Sequence, residues 1–478
     1  MSVRRWDDKV MAGVAAAESP LLDRVLPRLG RAADHGILWF AVAGALAASR
    51  RRPARRAALR GAGSLALASA TVNIAAKGMA RRNRPVVDAI PLVRRLRRAP
   101  ITTSFPSGHS ASAAAFATAV ALEAPALAAP VGALAAGVAA SRVVTGAHYP
   151  SDVLAGLAIG AAAATVTVRW WPLRPDRPAA AARPPALAPA LATGDGLVVV
   201  VNALSGGASE EMVDRIAELL PDADIVVATD GEDEAKLLRE AAGRAAVLGV
   251  AGGDGTVNAA AAIAVEHRLP LWVVPAGTLN HFARDVGVES VEDAATALRD
   301  GHSVAVDLGV AGDVVFLNTT SVGIYVDLVR AREKWERRLG KWPATAVGLA
   351  EVLATGRPQE VVLDGERRRL WLLFAGNGAY EPQGFAPSYR PDLCDGLLDV
   401  RIVDAKPPLA RLRLVAAVLL GTLGRSRVYE AYRTSTLRLS AADGELALSR
   451  DGELTDTPHT VRLSKQVNRL VVYRPDPG

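Results

Sequence analysis

Two groups of residues suited to phosphate chemistry lie in separate parts of this 478-residue chain. The first group lies between Lys77 and Asp152 and combines basic residues with two histidines. The second is the glycine-rich segment 252–256, which follows an apolar run and precedes a helical one. A loop of this kind lets backbone N–H groups approach a phosphate closely. The first group predicts removal of a phosphate, and the second predicts transfer of one.

The first group contains each component that cleavage of a phosphate ester needs, namely cations, a nucleophile and an acid for the leaving group. His148 is the predicted nucleophile, and Asp152 is predicted to hold the tautomer of its imidazole. His109 is the predicted acid that protonates the departing alkoxide. Because no cluster of metal ligands accompanies these residues, we expect the reaction to need no metal. The predicted phosphate ligands are cationic side chains, a hydroxyl group and backbone N–H groups: Lys77, Arg84, Arg142, Ser107 and Gly108.

Each of these residues alone has a simpler explanation, because a Lys or Arg at a helix end often only reaches toward water. Three motifs in order, all at the ends of apolar runs, favour the catalytic interpretation. Over about residues 35–168 the set resembles the type 2 phosphatidic acid phosphatase (PAP2) superfamily. The resemblance implies an α-helical membrane fold that acts on phosphatidic acid, lipid pyrophosphates or polyprenyl phosphates.

The part of the chain that follows Gly196 has a different pattern. Buried-strand runs alternate with helical runs, which predicts a parallel α/β sheet. After about Val304 the runs are short, β-branched and alternating, which predicts a second, mainly antiparallel lobe.

Two acidic turns lie in this second lobe. The first contains Asp392, Asp395 and Leu397, whose carboxylate and carbonyl oxygens suit Mg²⁺, with a simple Asp-Gly turn before a strand as the alternative. The second contains Asp451 and Glu453, which offer a base for an acceptor hydroxyl or form an ordinary hairpin turn.

In this order the motifs resemble the diacylglycerol kinase catalytic family, over about residues 196–478. The resemblance implies that ATP is the co-substrate, that Asp392, Asp395 and the Leu397 carbonyl bind Mg²⁺, and that the catalytic turn at Asp451 supplies Glu453 as proton acceptor. Two positions depart from the family pattern, since Ala203 stands where proline is usual and His281 where aspartate is common. The nucleotide contacts that the resemblance implies are Asn202, Thr229, Gly252, Gly253, Asp254, Gly255, Thr256, Asn258 and Thr278.

The composition favours a membrane protein, with 50% hydrophobic residues and a mean hydropathy of +0.19. Five apolar runs predict five spans, since a bilayer needs roughly 20 apolar residues per helix, although an alanine-rich soluble bundle is the alternative. The single cysteine, Cys394, excludes an intrachain disulfide and a cysteine-based zinc site. The runs are 36–49, 57–76, 108–128, 130–144 and 150–168.

The net charge of +7 is concentrated in the apolar part, where residues 1–152 carry 21 Lys and Arg against 8 Asp and Glu. Positive charge beside apolar helices favours anionic lipid head groups as partners. No aromatic residues interleave the arginine clusters, so we expect no nucleic-acid binding.

The fold class expected from these patterns is a multidomain chain, with a PAP2-like α-helical membrane bundle followed by a two-lobe lipid kinase. The kinase comprises an α/β nucleotide lobe and a mainly antiparallel β lobe that binds lipid and metal. The expected segments are an interfacial amphipathic segment 1–34, the phosphatase domain 35–171, a Pro/Ala-rich spacer 172–193, the nucleotide lobe 194–305 and the β lobe 306–478.

The expected location is the cell membrane, crossed several times. ATP is cytosolic, so the kinase faces the cytoplasm, and the last predicted span then places His148 and Asp152 on the outer face. The predicted function is a bifunctional enzyme that phosphorylates a lipid alcohol and dephosphorylates a lipid phosphate. A lipid-sensing protein with one active half and a transporter with a regulatory lobe are the alternatives. The sequence leaves the lipids and the oligomeric state open.

Overall fold

The structure is a computed structural model in which two compact units, Met1–Leu173 and Arg174–Gly478, can be distinguished. It describes residues 2–49, 51–76, 82–86, 90–95, 103–175, 177–181, 186–203, 205, 210–229, 232–277, 279–384, 388–442, 446–457 and 459–476.

The described residues of the first unit form helices and no strand. Helix α5 is central, since it packs against α4, α6 and α7. Its Phe116 is fully buried and lies 5.3 Å from the ring of Trp39, which belongs to α3. The helices are α1 (Val3–Ala16), α2 (Leu26–Ala32), α3 (Ile37–Ala48), α4 (Arg52–Ala70), α5 (Gly108–Glu123), α6 (Ala128–Val144) and α7 (Pro150–Thr167).

Helix α7 approaches α5 closely because two glycines face it. A Cβ atom at Gly156 would collide with the carbonyl oxygen of Ser107, and one at Gly160 would collide with that of Ala111. Small residues four apart are the pattern that lets two membrane helices bring their backbones together. As a result the starts of both helices meet, and the Ser107 N–H donates to the Asp152 carbonyl oxygen at 3.0 Å.

The other end of α5 is held by a buried charge cluster. Glu123 accepts hydrogen bonds from Arg56 at 2.8 Å and from Arg60 at 2.6 Å. Arg60 is fully buried and also donates to Thr167 of α7. Because a buried charge is tolerated only when it is paired, this cluster fixes the register of α4, α5 and α7.

Two helical segments of the described residues are long and apolar enough to cross a bilayer, Pro125–Val144 and Pro150–Thr167. The segment Asp34–Ala48 is apolar but shorter. The predicted spans 57–76 and 108–128 do not meet the same test. The span 57–76 fails because helix α4 carries several arginines, and the span 108–128 fails because helix α5 is only 16 residues long.

The predicted interfacial segment 1–34 has a further role in the structure. Asp7 of α1 is fully buried, where it accepts hydrogen bonds from Arg82 at 2.7 Å and from the Ser151 N–H at 2.9 Å. Helix α1 also packs against α6 and α7. Part of the amphipathic pattern of α1 therefore reflects packing inside the first unit, and the interfacial position of segment 1–34 stays a prediction.

The first lobe of the second unit is the predicted parallel α/β sheet. Its central strands pair in the order β3-β2-β4-β5. Because the strands are parallel, their carboxyl ends lie at one edge, and the loops that follow them share that edge. The strands are β1 (Ala186–Leu187), β2 (Leu197–Asn202), β3 (Asp224–Ala228), β4 (Val247–Gly252) and β5 (Leu271–Pro275), and the helices are α8 (Glu210–Leu219), α9 (Glu234–Ala242), α10 (Asp254–His267), α11 (His281–Val286) and α12 (Val291–Asp300).

The second lobe is antiparallel, as predicted, and has its own apolar core. Its last strand joins the two lobes, because β16 pairs with β6 and β13 antiparallel and with β5 parallel. The elements are β6 (His302–Ala311), β7 (Val314–Phe316), β8 (Thr319–Gly323), α13 (Ile324–Leu339), α14 (Lys341–Thr355), β9 (Gln359–Leu363), β10 (Glu366–Asn377), β11 (Leu398–Asp404), α15 (Ala410–Leu420), β12 (Tyr429–Thr434), β13 (Thr436–Ala441), β14 (Leu446–Arg450), β15 (Glu453–Thr457) and β16 (Thr460–Tyr473).

The stretch predicted as a spacer, 172–193, is not a free linker in its described part. Ala179 is buried and its N–H donates to the Asp285 carbonyl oxygen at 2.8 Å. Strand β1 pairs with β6, and the Pro189 carbonyl accepts from the Tyr473 hydroxyl. The Pro/Ala composition predicted an extended backbone but carried no information about the surface that would bind it.

We predict that Gly160→Ala lowers the free energy of unfolding of the first unit by roughly 1–3 kcal/mol, because the added methyl group collides with the α5 backbone. Gly132→Ala on α6 is the matched control, since a Cβ there meets nothing within 4 Å. That variant should be neutral or slightly more stable, by helix propensity. Thermal unfolding in detergent checks this. Equal melting temperatures for the two variants would contradict the proposed close packing.

Candidate functional sites

His148 lies in the loop between α6 and α7 and is 4% exposed. Its Nδ1 lies 2.6 Å from the carbonyl oxygen of Ser104. Because a carbonyl oxygen only accepts, Nδ1 must carry the proton, and Nε2 of the neutral ring keeps its lone pair. Arg84 Nη1 lies 3.5 Å from that Nε2. The predicted nucleophile therefore presents a lone pair beside a predicted phosphate ligand.

Burial, assisted by the charges of Arg84 and Arg142, lowers the pKa of His148 to about 3. The imidazole is consequently neutral near pH 7, which is the form able to attack phosphorus.

Asp152 does not contact His148, so this part of the prediction was wrong. Its carboxylate accepts from the Ser104 hydroxyl at 2.5 Å, from the Tyr149 N–H at 3.0 Å and from Arg82 at 2.6 Å. Asp152 thus positions Ser104, and the Ser104 carbonyl positions His148. The spacing of four residues suggested direct contact, but Asp152 turns back to cap its own helix.

Arg142 is 3% exposed, and its Nε has no hydrogen-bond partner among the described residues. A buried cation with an unused donor is expected where an anionic ligand binds. Arg84 donates to the Ala147 carbonyl oxygen at 2.6 Å, which holds its guanidinium beside the His148 loop. The third predicted cation, Lys77, lies outside the described residues.

His109 follows Gly108 in the first turn of α5, and its Nε2 lies 2.8 Å from the Asp34 carboxylate. Ser107 is the N-cap of this helix, and its buried hydroxyl accepts from Ser110. The predicted acid therefore stands at a helix N-terminus, where backbone N–H groups favour an anion. Asp34 had no motif in the sequence that would have marked it.

The glycine-rich loop of the second unit follows β4 and opens α10, as predicted. The Gly253 N–H donates to the Ser205 hydroxyl at 3.2 Å. A Cβ at Gly277, in the loop after β5, would lie 2.5 Å from the Gly253 Cα. The two loops touch through backbone atoms, and their position at the start of α10 suits a phosphate chain.

Three polar residues meet behind this loop. Asn202, at the end of β2, donates to the Thr256 hydroxyl at 3.0 Å and to the Glu234 carboxylate at 3.2 Å. Glu234 was not predicted, and burial raises its pKa. The sequence placed Asn202 and Thr256 in one site, and the structure brings them together.

Two of the predicted nucleotide ligands have other partners. Thr229 is exposed and bonds to Glu232 three residues later. The Asn258 amide accepts from the Leu317 N–H at 3.1 Å and faces β7. Both are polar residues near the loop, but their hydrogen bonds support turns. Thr278 lies outside the described residues.

Asp254 and Gly255 lie in the first turn of α10 and line a cavity of about 740 Å³. Burial raises the pKa of Asp254, although the Phe282 N–H donates to it. His281, the departure from the family pattern, lines the same cavity, and burial lowers its pKa to about 4. The remaining wall is mainly apolar and includes Ile324, Leu328, Leu349, Phe374, Leu414 and Val418.

Asp451 and Glu453 have different environments. Asp451 accepts from the N–H groups of Leu317, Asn318 and Thr319 at 2.7–2.9 Å, so both of its oxygens are used. Glu453 is exposed, and its carboxylate lies where a Cβ of Gly255 would be. These hydrogen bonds give Asp451 a structural role although it also lines the cavity, its catalytic role stays a prediction, and Glu453 stays the candidate base.

The predicted Mg²⁺ ligands do not fit that ion well. Asp395 accepts from the N–H groups of Ala379 and Leu397, Asp392 accepts from the Cys394 N–H, and the Leu397 carbonyl accepts from Gly378. In addition, the Lys465 ammonium lies 3.7 Å from Asp395.

Lys465 is itself buried, 3.4 Å from Asp307 and 2.6 Å from the Asn377 amide oxygen. A positive charge is thus already present among these acidic groups. Among the described residues no group of three or more His, Cys, Asp or Glu is arranged to hold a metal ion.

Comparison with known proteins identifies families for both units. The family model of the diacylglycerol kinase catalytic domain matches residues 196–311, and that of the YegS C-terminal NAD kinase beta sandwich-like domain matches 319–472. A "Probable lipid kinase YegS-like" protein of Pseudomonas aeruginosa (strain UCBPP-PA14) is 30% identical over 295 residues, which are 59% of this chain and 95% of that protein. The chain belongs to the YegS-like lipid kinase family.

The YegS-like unit is preceded by a PAP2 region, since the PAP2 superfamily model matches residues 57–176. A diacylglycerol kinase of Mycobacterium tuberculosis (strain CDC 1551 / Oshkosh) is 27% identical over 261 residues, 50% of this chain and 83% of that protein. The crystal structure of a diacylglycerol kinase from Bacillus anthracis str. Sterne is 20% identical, with a TM-score of 0.42, and covers 59% of this chain and 97% of that one. The kinase family implies ATP as the co-substrate of the YegS-like unit.

We predict that Asp451→Asn removes a pH-dependent contribution to the free energy of unfolding of the YegS-like unit. Burial is the first cause that raises the pKa of Asp451, from 3.8 to about 6. Because the folded protein binds this proton more tightly, the stabilising contribution is complete below about pH 4 and is lost as the pH rises through 6. At 1.36 kcal/mol per unit the loss is about 3 kcal/mol.

Thermal unfolding of both proteins between pH 4 and 7 checks this prediction. Wild-type stability should fall relative to Asp451→Asn as the pH rises, while Asp300→Asn, at an exposed position on α12, should follow the wild type. Parallel curves for wild type and Asp451→Asn would contradict the assigned environment.

Proposed function

We propose that this chain is a bifunctional membrane enzyme of lipid phosphate metabolism. Its YegS-like unit transfers a phosphoryl group from ATP to a lipid alcohol of the diacylglycerol type. Its PAP2 region hydrolyses a lipid phosphate through a phosphohistidine. The observation that supports the kinase half best is the cavity of about 740 Å³, which joins the phosphate loop to an apolar wall.

In the kinase reaction the phosphates of ATP lie along Gly252–Gly255 and the start of α10. The acceptor hydroxyl attacks the terminal phosphorus, the bond to the ADP oxygen breaks, and Glu453 takes the hydroxyl proton. Glu453 is suited to this role because it lies against Gly255, beside the loop that would hold the reacting phosphate. Asp392, Asp395 and the Leu397 carbonyl have no role in this proposed step, because their oxygens accept hydrogen bonds from backbone N–H groups.

The apolar wall of the cavity supports a lipid as acceptor. Apolar walls with a few convergent polar groups are typical of small-molecule sites. Here Leu328, Phe374 and Leu414 form part of the wall, while Asp254 and Gly255 lie at the polar end. A lipid alcohol fits this polarity, with its hydroxyl toward α10 and its chains along the wall.

In the phosphatase reaction His148 Nε2 attacks phosphorus, and the bond to the leaving oxygen breaks. His109 donates a proton to that oxygen, and water then releases phosphate from the phosphohistidine. Arg84 and Arg142 hold the phosphoryl oxygens, together with N–H groups at the start of α5. The unused Nε donor of the buried Arg142 supports this assignment.

Sidedness keeps the two reactions from cancelling. ATP is cytosolic, so the kinase acts on the cytoplasmic leaflet, and the topology expected from the sequence places His148 at the outer leaflet of the cell membrane. The PAP2 family and the two apolar helices Pro125–Val144 and Pro150–Thr167 support a membrane location.

We predict that one substitution in each unit separates the activities of the purified protein. His148→Ala should lower hydrolysis of dioctanoyl phosphatidic acid at least about 100-fold, since it removes the nucleophile. Asp254→Ala should lower phosphorylation of dioctanoylglycerol by MgATP by at least about 100-fold, since it removes the carboxylate at the polar end of the cavity, where the acceptor hydroxyl is proposed to lie. Each variant should keep the other activity.

The controls are His267→Ala and Asp300→Ala, which change the same residue types at exposed positions. Both should retain both activities. Loss of both activities in either site variant would contradict two independent sites. Absence of one activity from the wild type would favour the alternative of a lipid-sensing protein with one active half.

A further inference from the structure

Helix α15 has an unusual surface for a helix at the outside of a protein. An exposed helix normally turns a polar face to water. Here four of the exposed side chains at the helix are leucines, since Leu409, Leu412, Leu419 and Leu420 are 60–71% exposed. At about 100° per residue Leu412 and Leu419 lie on one line and Leu420 lies about 80° from Leu412, while Leu409 is the N-cap residue just before the helix. The exposed face is therefore a continuous apolar stripe.

The opposite face of α15 belongs to the proposed lipid cavity. Leu414 and Val418 of the helix line it, as does Leu423 just beyond. One helix thus separates the cavity from the outside, with apolar side chains on both faces. An apolar face of a helix is normally covered by other apolar groups, so the outer face of α15 needs a partner.

The charge around α15 identifies what covers the outer face. Residues 408–428 contain four arginines and no acidic residue. On the helix, Arg411 and Arg413 fall on the two sides of the leucine stripe, and Arg425 and Arg427 are exposed just after it. Arginines beside an exposed apolar face favour a bilayer with anionic lipids as the partner, because basic residues near a membrane surface are attracted to anionic head groups.

We infer that α15 is a membrane-docking helix, whose leucine stripe enters the acyl boundary of an anionic bilayer beside the lipid cavity. This inference rests on the proposed kinase function, because the acceptor is then a lipid that must leave the bilayer to reach Asp254. The helix shields the acyl chains from water on that path, with the bilayer on one side and the cavity on the other.

The first experiment places a fluorescent probe on the stripe of the full-length protein. In a Cys394→Ser background, which removes the single cysteine, Leu412→Cys and Leu420→Cys are labelled with an environment-sensitive dye. Val227→Cys on β3, 42% exposed, is the matched control. The proteins are placed in nanodiscs that contain phosphatidylglycerol, with and without spin-labelled lipids.

The dyes at Leu412 and Leu420 should shift to shorter emission wavelengths and lose about half of their intensity to the spin labels, because such helices lie within 5–10 Å of the acyl boundary. The dye at Val227 should do neither. If the stripe dyes are not quenched, the inference is overturned. A blue shift that depends on protein concentration in detergent without lipid would also overturn it, because a second copy would then cover the stripe.

The second experiment separates this inference from the proposed function. Leu412→Ser with Leu420→Ser should lower kinase activity on a long-chain diacylglycerol in nanodiscs about tenfold, since docking is weakened. Activity on water-soluble dihexanoylglycerol should be unchanged, and Val227→Ser should change neither. Equal loss on both substrates would overturn the docking role, whereas quenching of the stripe dyes without any lipid phosphorylation would overturn the kinase proposal alone.

Discussion

The close packing of α7 on α5, permitted by Gly156 and Gly160, is the constraint on which the candidate phosphatase site of the first unit depends. It brings the start of α7 to the start of α5, where the Asp152 carbonyl accepts from Ser107. The same end therefore collects a helix N-terminus, a neutral imidazole and buried guanidinium groups. A wider spacing between the helices would keep every motif residue and still separate the groups that we propose to act on one phosphate.

The second unit has an equivalent constraint at the junction of its lobes. The backbone at Leu317–Thr319 donates to Asp451 from one side, and Leu317 also donates to Asn258 of α10. This shared segment ties the helix that follows the phosphate loop to the turn that carries Glu453. Charged hydrogen bonds to backbone N–H groups are strong and directional. The candidate base thus keeps its place against Gly255, although Glu453 itself is exposed.

Sequence patterns predicted the elements well but the partners poorly, for physical reasons. Apolar runs predicted a parallel sheet, and because parallel strands end together, Asn202 and Gly252 lie at one edge of that sheet in the structure. The Ser104 carbonyl that holds His148 was not predictable, because a backbone oxygen belongs to every residue type. Asp34 lies 75 residues from His109 in sequence. The carboxylate of Asp451 and the amide of Asn258 could each bind a substrate or a backbone N–H group. Their chemical identity does not distinguish these two roles, and only the geometry does.

The proposed function places the kinase site and the phosphatase site at opposite faces of one membrane. In proteoliposomes of mixed orientation, the latency of each activity is the fraction that appears only after detergent opens the vesicles. Kinase latency is measured with external MgATP, and phosphatase latency with a charged short-chain lipid phosphate. If the sites open to opposite faces, each protein molecule exposes one site and encloses the other. The latent fraction of the kinase and the latent fraction of the phosphatase should then add up to one in every preparation. Equal latent fractions in preparations of unequal orientation would contradict the account.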